Sequence, residues 1–287
     1  MSKILVTGST GNVGSQLVRD LVSRGASVRA FTRSADSSQF DSRVEIAVGD
    51  FTDKESLRKA LDGVSKMYLL GAAPNTVAYD SVAIDLAKEA GLELIVKQSV
   101  VGAQYKATEI GRWHCAGEER MEACGIPYVF LRPGAFDSNA FGWADTVKSH
   151  DTVYGALGDT ALPDIDPADI AAVAAVVLTT PGHAGKAYDL TGPESLTTQQ
   201  QVDILGSVLG RPLKYVNVPD EAATQSMLGM GMPPVYVDAM IGLIQSLRSF
   251  GRIEPTADVP TLLGRPARSF RQWATEHAAA FTKAAGA

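Results

Sequence analysis

The stretch that decides the fold is KILVTGSTGNVGSQLVRDLVSRGASVRAFTRS, residues 3–34. Its first apolar run ends at three glycines, Gly8, Gly11 and Gly14, which lead into a segment with apolar residues at helical spacing. A second apolar run follows and ends at Arg33. A tight turn from a strand into a helix leaves free backbone N–H groups at the helix start, where the helix dipole adds positive charge. The stretch therefore predicts a strand–helix–strand unit with an anion-binding turn.

The rest of the chain repeats this alternation of short apolar runs and helical patterns. Alternation of this kind is typical of a parallel sheet with helices on both faces, and no Asn-Gly or Asp-Gly hairpin turn joins two strand-like runs. We expect an α/β protein with a Rossmann-type doubly wound parallel sheet and a smaller C-terminal α/β lobe over the carboxyl edge of the sheet. Residues 1–150 should form the main domain, residues 166–195 should return to it, and residues 196–287 should form the smaller lobe.

Composition and charge narrow the class of protein. The chain has 287 residues, of which 45% are hydrophobic and 20% are charged, as in soluble globular proteins. A net charge of -6 and the lack of a Lys/Arg block argue against a nucleic-acid surface. Two cysteines and no long apolar segment favour a cytoplasmic protein with reduced thiols and no membrane anchor. No residues have metal-ligand spacing, so we expect no metal site.

The glycines and Arg33 together favour a dinucleotide. Gly8 permits the tight turn, Gly11 lets a pyrophosphate approach the backbone, and Gly14 lets helix and strand pack closely. NAD-binding proteins carry an acidic residue after the second strand to hold the ribose 2′-hydroxyl, whereas this chain has Arg33 and Ser34 there. A guanidinium suits a 2′-phosphate, so we expect NADP(H) and, less strongly, NAD(H). Incidental glycines and a solvated Arg33 are the alternatives.

Further residues at the predicted strand ends belong to the same expectation, which makes 1–150 an NAD(P)-binding domain. Asp50 is expected to accept a hydrogen bond from adenine beside Phe51, unless both residues only begin a helix. Lys97 could reach a cofactor hydroxyl or serve the sheet edge alone. The predicted cofactor-binding residues are Gly8, Thr10, Gly11, Asn12, Val13, Gly14, Arg33, Ser34, Asp50, Phe51, Gly71, Ala72, Ala73, Lys97 and Pro133.

Several segments resemble a known family. They are VTGSTGNVG, VGDFTD, LIVKQSVVGA, WHCAGEERMEACGIPYVFLRPGAFDSN, DIDPADIAAVAAVVLT and YDLTGPESLT. Together they resemble the NmrA-like branch of the atypical short-chain dehydrogenases/reductases. The resemblance implies a cofactor-binding Rossmann fold. It implies either NAD(P)H-dependent reduction of quinones, azo dyes or triphenylmethane dyes, or a redox-sensing regulator that binds cofactor without catalysis.

The chain departs from the wider superfamily at the catalytic acid. None of its eight tyrosines is followed by Lys four residues later, so the Tyr-x-x-x-Lys pair is missing. Trp113 and His114 lie where the tyrosine is expected. We therefore expect Ser99 and His114 to be catalytic, with His114 donating a proton near its ordinary pKa of about 6.5. A strand-end serine and a polar helix residue are the alternatives. Trp113, Phe136 and Asn139 are the expected substrate-binding residues.

The lack of a Tyr-x-x-x-Lys acid also narrows the class of molecule that could accept a hydride. Reduction of a ketone gives an alkoxide that needs a proton donor, whereas reduction of a quinone gives a phenolate-like anion whose conjugate acid has a pKa of about 10. We therefore expect an NADPH-dependent oxidoreductase that transfers hydride to a quinone or similar small conjugated molecule. The alternatives are a non-catalytic NADP(H) sensor and an epimerase or reductase that uses His114 as its acid. The oligomeric state stays open, a homodimer included.

Overall fold

A computed structural model of the chain describes residues 2–36 and 38–282. The strands are β1 (Lys3–Val6), β2 (Ser27–Thr32), β3 (Glu45–Val48), β4 (Lys66–Leu69), β5 (Leu94–Gln98), β6 (Tyr128–Pro133), β7 (Thr152–Gly155), β8 (Ala161–Leu162), β9 (Lys186–Leu190), β10 (Leu196–Thr197) and β11 (Lys214–Asn217). The helices are α1 (Gly14–Ser23), α2 (Lys54–Leu61), α3 (Thr76–Glu89), α4 (Glu109–Cys124), α5 (Ala144–His150), α6 (Pro167–Thr179), α7 (Thr198–Leu209), α8 (Asp220–Gly229), α9 (Pro234–Phe250), α10 (Asp258–Leu263) and α11 (Phe270–Glu276). Short 3₁₀ segments lie at Ala103–Tyr105, Asp137–Trp143 and Ala278–Phe281.

Seven of these strands form one sheet in the order β3-β2-β1-β4-β5-β6-β9, and every neighbouring pair is parallel. Helices α1 and α6 cover one face, while α2, α3 and α4 cover the other. The chain reverses its direction of winding between β1 and β4, and such a switch point opens a crevice outside the carboxyl ends of the strands. The predicted Rossmann-type doubly wound sheet is confirmed.

Strands β1 and β4 in the middle of the sheet are apolar after their first residue, because both faces of the sheet are covered there. Successive residues of a strand point to opposite faces. In β1, Ile4 and Val6 therefore join the core under α1 and α6, whereas Leu5 joins the core under α2, α3 and α4. Tyr68 and Met67 of β4 divide in the same way. This double burial holds the strand ends in fixed positions along one edge.

A third core cluster supports the smaller lobe. It joins α5, β7, α7 and α11, and Trp273 of α11 is almost completely buried in it. Strand β9 is part of the seven-stranded sheet, and helix α6 packs on that sheet. Helix α10 packs on both α6 and β9. The segment from Ala140 to Val153 packs with the smaller lobe. The division at residues 150 and 195 stays a prediction.

Residues 227–236 contain three methionines and span the end of α8, the turn after it and the start of α9. Helix α8 has no buried residue, whereas α9 packs on α4 and α8 and buries Val237 and Ala239. Among the described residues, no helix is both long and apolar enough to cross a membrane.

Candidate active site

The turn between β1 and α1 holds its shape through glycine. Gly8 has a φ of +61°, in the left-handed region that glycine tolerates. A Cβ on Gly14 would lie 2.1 Å from the carbonyl oxygen of Gly8, so no other residue fits there without moving the backbone. The amide of Gly11 donates to that same carbonyl oxygen over 3.0 Å. The turn thus brings the start of α1 close against the end of β1.

The helix start that results has unused donors. No side chain caps α1 at Val13, and its first turn contains no acidic residue. In the described part of the chain, the backbone N–H groups of Asn12, Val13 and Gly14 have no hydrogen-bond acceptor. Thr10 and Gly11 are exposed beside them. Three free donors and the positive end of the helix dipole fit a pyrophosphate.

The end of β2 offers a free cation. Arg33 is exposed and forms no hydrogen bond or ion pair with the residues that the structure describes. Ser34 is also exposed, and its hydroxyl accepts from the amide of Asp36 over 3.1 Å. The guanidinium therefore remains available to an anion at the same sheet edge as the glycine turn.

Asp50 and Phe51 lie after β3. The Asp50 carboxylate accepts from the hydroxyl and the amide of Thr52 over 2.7 and 2.8 Å, and these hydrogen bonds lower its pKa. The Phe51 ring stacks on Tyr79, with ring centroids 5.1 Å apart and planes 13° from parallel. Asp53, and not Asp50, caps helix α2. This leaves the second Asp50 oxygen and an aromatic surface at the sheet edge.

A cleft of about 240 Å³ opens at the carboxyl ends of β4, β5 and β6. It brings together many of the predicted residues, but Trp113 and Asn139 are not among those that line it. Trp113 is half-buried on α4, and Asn139 is exposed in the 3₁₀ segment. The cleft is lined by Leu70, Gly71, Ala72, Ala73, Thr76, Gln98, Ser99, Val100, His114, Pro133, Gly134 and Phe136.

Ser99 and His114 both contribute enclosed polar atoms to this cleft. The Ser99 hydroxyl and Nδ1 of His114 are buried and have no partner in the described residues. Burial, assisted by the nearby charge of Lys97, lowers the pKa of His114 to about 3. The expectation that His114 titrates near its ordinary pKa is therefore wrong, because the surrounding protein disfavours the charged ring. His114 enters the cleft as a neutral imidazole.

Lys97 lies elsewhere than the sequence suggested. It has no exposed surface, and its ammonium group pairs with the equally buried Asp80 of α3 over 2.5 Å. A Cβ on Gly117 of α4 would lie 2.4 Å from this Asp80 carboxylate, so that glycine leaves the space for the pair. The prediction that Lys97 contacts a cofactor is therefore wrong, because its ammonium group is paired with Asp80 inside the buried layer between β5 and α4.

Sequence reasoning missed three polar groups near the cleft. Gln98 lines it, and the amide oxygen of Gln98 accepts from the buried hydroxyl of Tyr68. Asp137 follows the cleft residue Phe136, and burial raises the pKa of its carboxyl group to about 9, with Asp164 adding repulsion. Gln98 and Asp137 lie inside the quoted motifs but without an expected role, and Tyr68 lies outside them; only the polar character of Gln98 at the end of an apolar strand could have drawn notice. In the described ranges, no cluster of His, Cys, Asp and Glu could hold a metal ion.

The chain is similar to known proteins of one family along nearly its whole length. The chain is 36% identical over 283 residues to an NAD(P)H azoreductase from Xenophilus azovorans, covering 97% of this chain and 99% of that protein. It is 35% identical over 281 residues to a (4-alkanoyl-5-oxo-2,5-dihydrofuran-3-yl)methyl phosphate reductase from Streptomyces griseus subsp. griseus, with coverages of 97% and 99%.

A solved structure is also similar along almost its whole length. The crystal structure of an NADPH-dependent quinone oxidoreductase from Escherichia coli matches with a TM-score of 0.82 and 25% identity, covering 95% of this chain and 98% of that one. The model of the NmrA-like family matches residues 1–274. This protein therefore belongs to the NmrA-like family, as the sequence motifs indicated.

Proposed function

We propose that this protein is an NADPH-dependent oxidoreductase that reduces quinones or similar conjugated acceptors. The observation that carries the proposal is the order of groups along one sheet edge. The free guanidinium lies at the end of β2, the uncapped helix start at the end of β1, and the cleft at the ends of β4, β5 and β6. This order matches the sequence of adenosine phosphate, pyrophosphate and nicotinamide in NADPH.

The residues at this edge divide the binding of NADP(H) among them. The free amides of Asn12, Val13 and Gly14 would hold the pyrophosphate, and Arg33 would hold the 2′-phosphate. Asp50 and Phe51 would contact the adenine. Bound NADPH supplies the hydride. The small residues Gly71 and Ala72 leave room for the nicotinamide in the cleft.

The cleft suits acceptors that need no strong acid. In the described residues no tyrosine, carboxyl group or cation lines it, and its polar side chains are the neutral Thr76, Gln98, Ser99 and His114. The names of the similar proteins describe acceptors with one common property. An azo bond, a quinone and an oxo-dihydrofuran with an alkanoyl group are all conjugated, so hydride addition leaves a delocalised anion. Such an anion can take its proton from water.

The other functions receive less support. The two relatives described above are both named as reductases, and neither name supports a non-catalytic sensor. An epimerase or reductase that uses His114 as its acid is not favoured, because that ring is neutral. The free thiols of Cys115 and Cys124 are consistent with a cytoplasmic location. That location and a homodimer remain predictions.

The direct test is NADPH oxidation, followed by its absorbance, with a quinone, an azo dye and an aliphatic aldehyde. We expect turnover with the quinone and the azo dye and little with the aldehyde, because only the first two give stabilised anions without an acid. NADPH binding without oxidation by any acceptor would instead favour the sensor.

Arg33→Asp tests the choice of cofactor. The substitution replaces the cation that would face the 2′-phosphate with an anion, so the Kd for NADPH should rise roughly 100-fold or more while the Kd for NADH changes little. Fluorescence titration with both cofactors measures this. Arg24→Asp, at the opposite end of α1, is the control for the same change in net charge. An equal loss for both cofactors would remove the 2′-phosphate role of Arg33.

His114→Gln tests the neutral imidazole. The native pKa of about 3 lies below the unfolded value of about 6.5, so the unfolded chain binds the extra proton between them and native stability falls as pH falls through this window. Between pH 7.5 and pH 5.0 the wild type should lose about 2 kcal/mol more unfolding free energy than the variant. Urea denaturation at both pH values measures the difference, and His150→Gln is the exposed control. Equal losses would show that His114 can be charged in the native state.

A further inference from the structure

We propose that Gln98 is a catalytic hydrogen-bond donor that stabilises the anion formed on the acceptor, and that Tyr68 is the positioning residue that fixes its amide group. This inference rests on the proposed reductase function and names a residue of that same cleft. Gln98 lies inside the motif LIVKQSVVGA but had no expected role there, and Tyr68 lies outside the quoted motifs. The role of Gln98 depends on the directions in which its Oε1 and Nε2 atoms point.

The backbone places Gln98 at the reacting end of the sheet. It is the last residue of β5, it is 6% exposed, and it lines the cleft next to Ser99. Since strand residues alternate between faces, Lys97 points into the layer with Asp80, and Gln98 points to the opposite face, where Tyr68 lies on the neighbouring strand β4. Gln98 thus reaches both the buried Tyr68 hydroxyl and the cleft.

The Tyr68 hydroxyl decides which way the amide faces. Tyr68 has no exposed surface, and within the described residues its hydroxyl forms one hydrogen bond, donated to Oε1 of Gln98. Burial raises the pKa of Tyr68, so the phenol keeps its proton and must donate it. A reversed amide would offer Nε2 to the phenol oxygen and leave the buried O–H without an acceptor.

The fixed orientation leaves the Nε2 hydrogens of Gln98 for the cleft. In the described residues, Nε2 forms no hydrogen bond, and the Ser99 hydroxyl and Nδ1 of His114 in the same cleft have no partners either. Three unpaired neutral groups around one space can receive negative charge. Preorganised donors of this kind stabilise charge that develops during a reaction, because they need no reorganisation when it forms.

The chemistry requires no proton from Gln98. Hydride addition to a quinone leaves a hydroquinone monoanion and NADP⁺, and the monoanion later takes one proton from water. Gln98 donates a hydrogen bond to the charged oxygen while the anion forms, and its own N–H bonds stay intact. The Gln98 amide therefore stabilises the anion by a hydrogen bond, as the tyrosine of a Tyr-x-x-x-Lys pair would, but it does not transfer a proton.

Kinetics of three variants test this assignment. Gln98→Met should lower kcat/KM for a quinone roughly 10- to 100-fold and leave the NADPH Kd nearly unchanged. Tyr68→Phe should lower kcat/KM less, because the amide can still donate part of the time. The double variant should be no slower than Gln98→Met, since Tyr68 acts through Gln98. Gln201→Met, which removes a buried glutamine outside the cleft, is the matched control.

A binding measurement tests the donor without turnover. Phenolate formation by 4-nitrophenol, read from its visible absorbance, should occur at lower pH in the wild-type complex with NADP⁺ than in water. Gln98→Met should reverse most of that shift, and Tyr68→Phe should reverse part of it. Additive losses in the double variant would overturn the positioning role of Tyr68. An unchanged phenolate shift in Gln98→Met, or no phenolate binding by the wild type, would overturn the donor role of Gln98.

The two measurements separate this inference from the proposed function. If the wild type turns over no acceptor but shows a phenolate shift that depends on Gln98, the reductase function is contradicted and the donor role of Gln98 is supported. If Gln98→Met has normal turnover and unchanged phenolate binding, the donor role of Gln98 is contradicted and the reductase function is supported.

Discussion

The uncapped start of α1 is the feature on which the rest of the site depends. Three backbone donors remain free there because the chain turns sharply at Gly8 and because Gly14 packs against the Gly8 carbonyl oxygen. Neither a side-chain cap nor an acidic residue competes for these donors. Such a helix start favours a doubly charged group, and the parallel sheet aligns every other site residue along the same edge.

Charge is distributed unevenly along that edge. A cation lies at one end, and the neutral cleft lies at the other. Arg33, which forms no ion pair with the described residues, lies at the end of β2, whereas the residues that line the cleft at the ends of β4, β5 and β6 are neutral. Lys97, the neighbour of the cleft residue Gln98 in β5, is paired with Asp80 in the buried layer, and its charge helps to keep His114 uncharged. A neutral cleft can stabilise a delocalised anion through hydrogen bonds and still release it, which suits conjugated acceptors.

The sequence predicted the sheet, its strand ends and the glycine turn because hydrophobic period and glycine spacing are local properties. It could not place side chains whose surroundings come from distant elements. Lys97 lies in β5 and Ser99 directly after it, yet only the packing against Asp80 and Gly117 shows that the charge of Lys97 is paired in the core. The pKa of His114 depends on the same layer. Gln98 escaped notice because its role follows from the Tyr68 hydroxyl on another strand.

Calorimetric titration with NADPH, on the wild type and on Gly11→Asp, tests the central claim most directly. Gly11 has no positive φ, and a Cβ there would contact only the Gly8 carbonyl oxygen at 3.3 Å, so the variant should fold while its carboxylate occupies the cradle. Gly142→Asp, at an open position, is the control. We expect one NADPH per chain for the wild type and control, and no binding heat for Gly11→Asp. Equal heat in Gly11→Asp, or none in the wild type, would contradict the account.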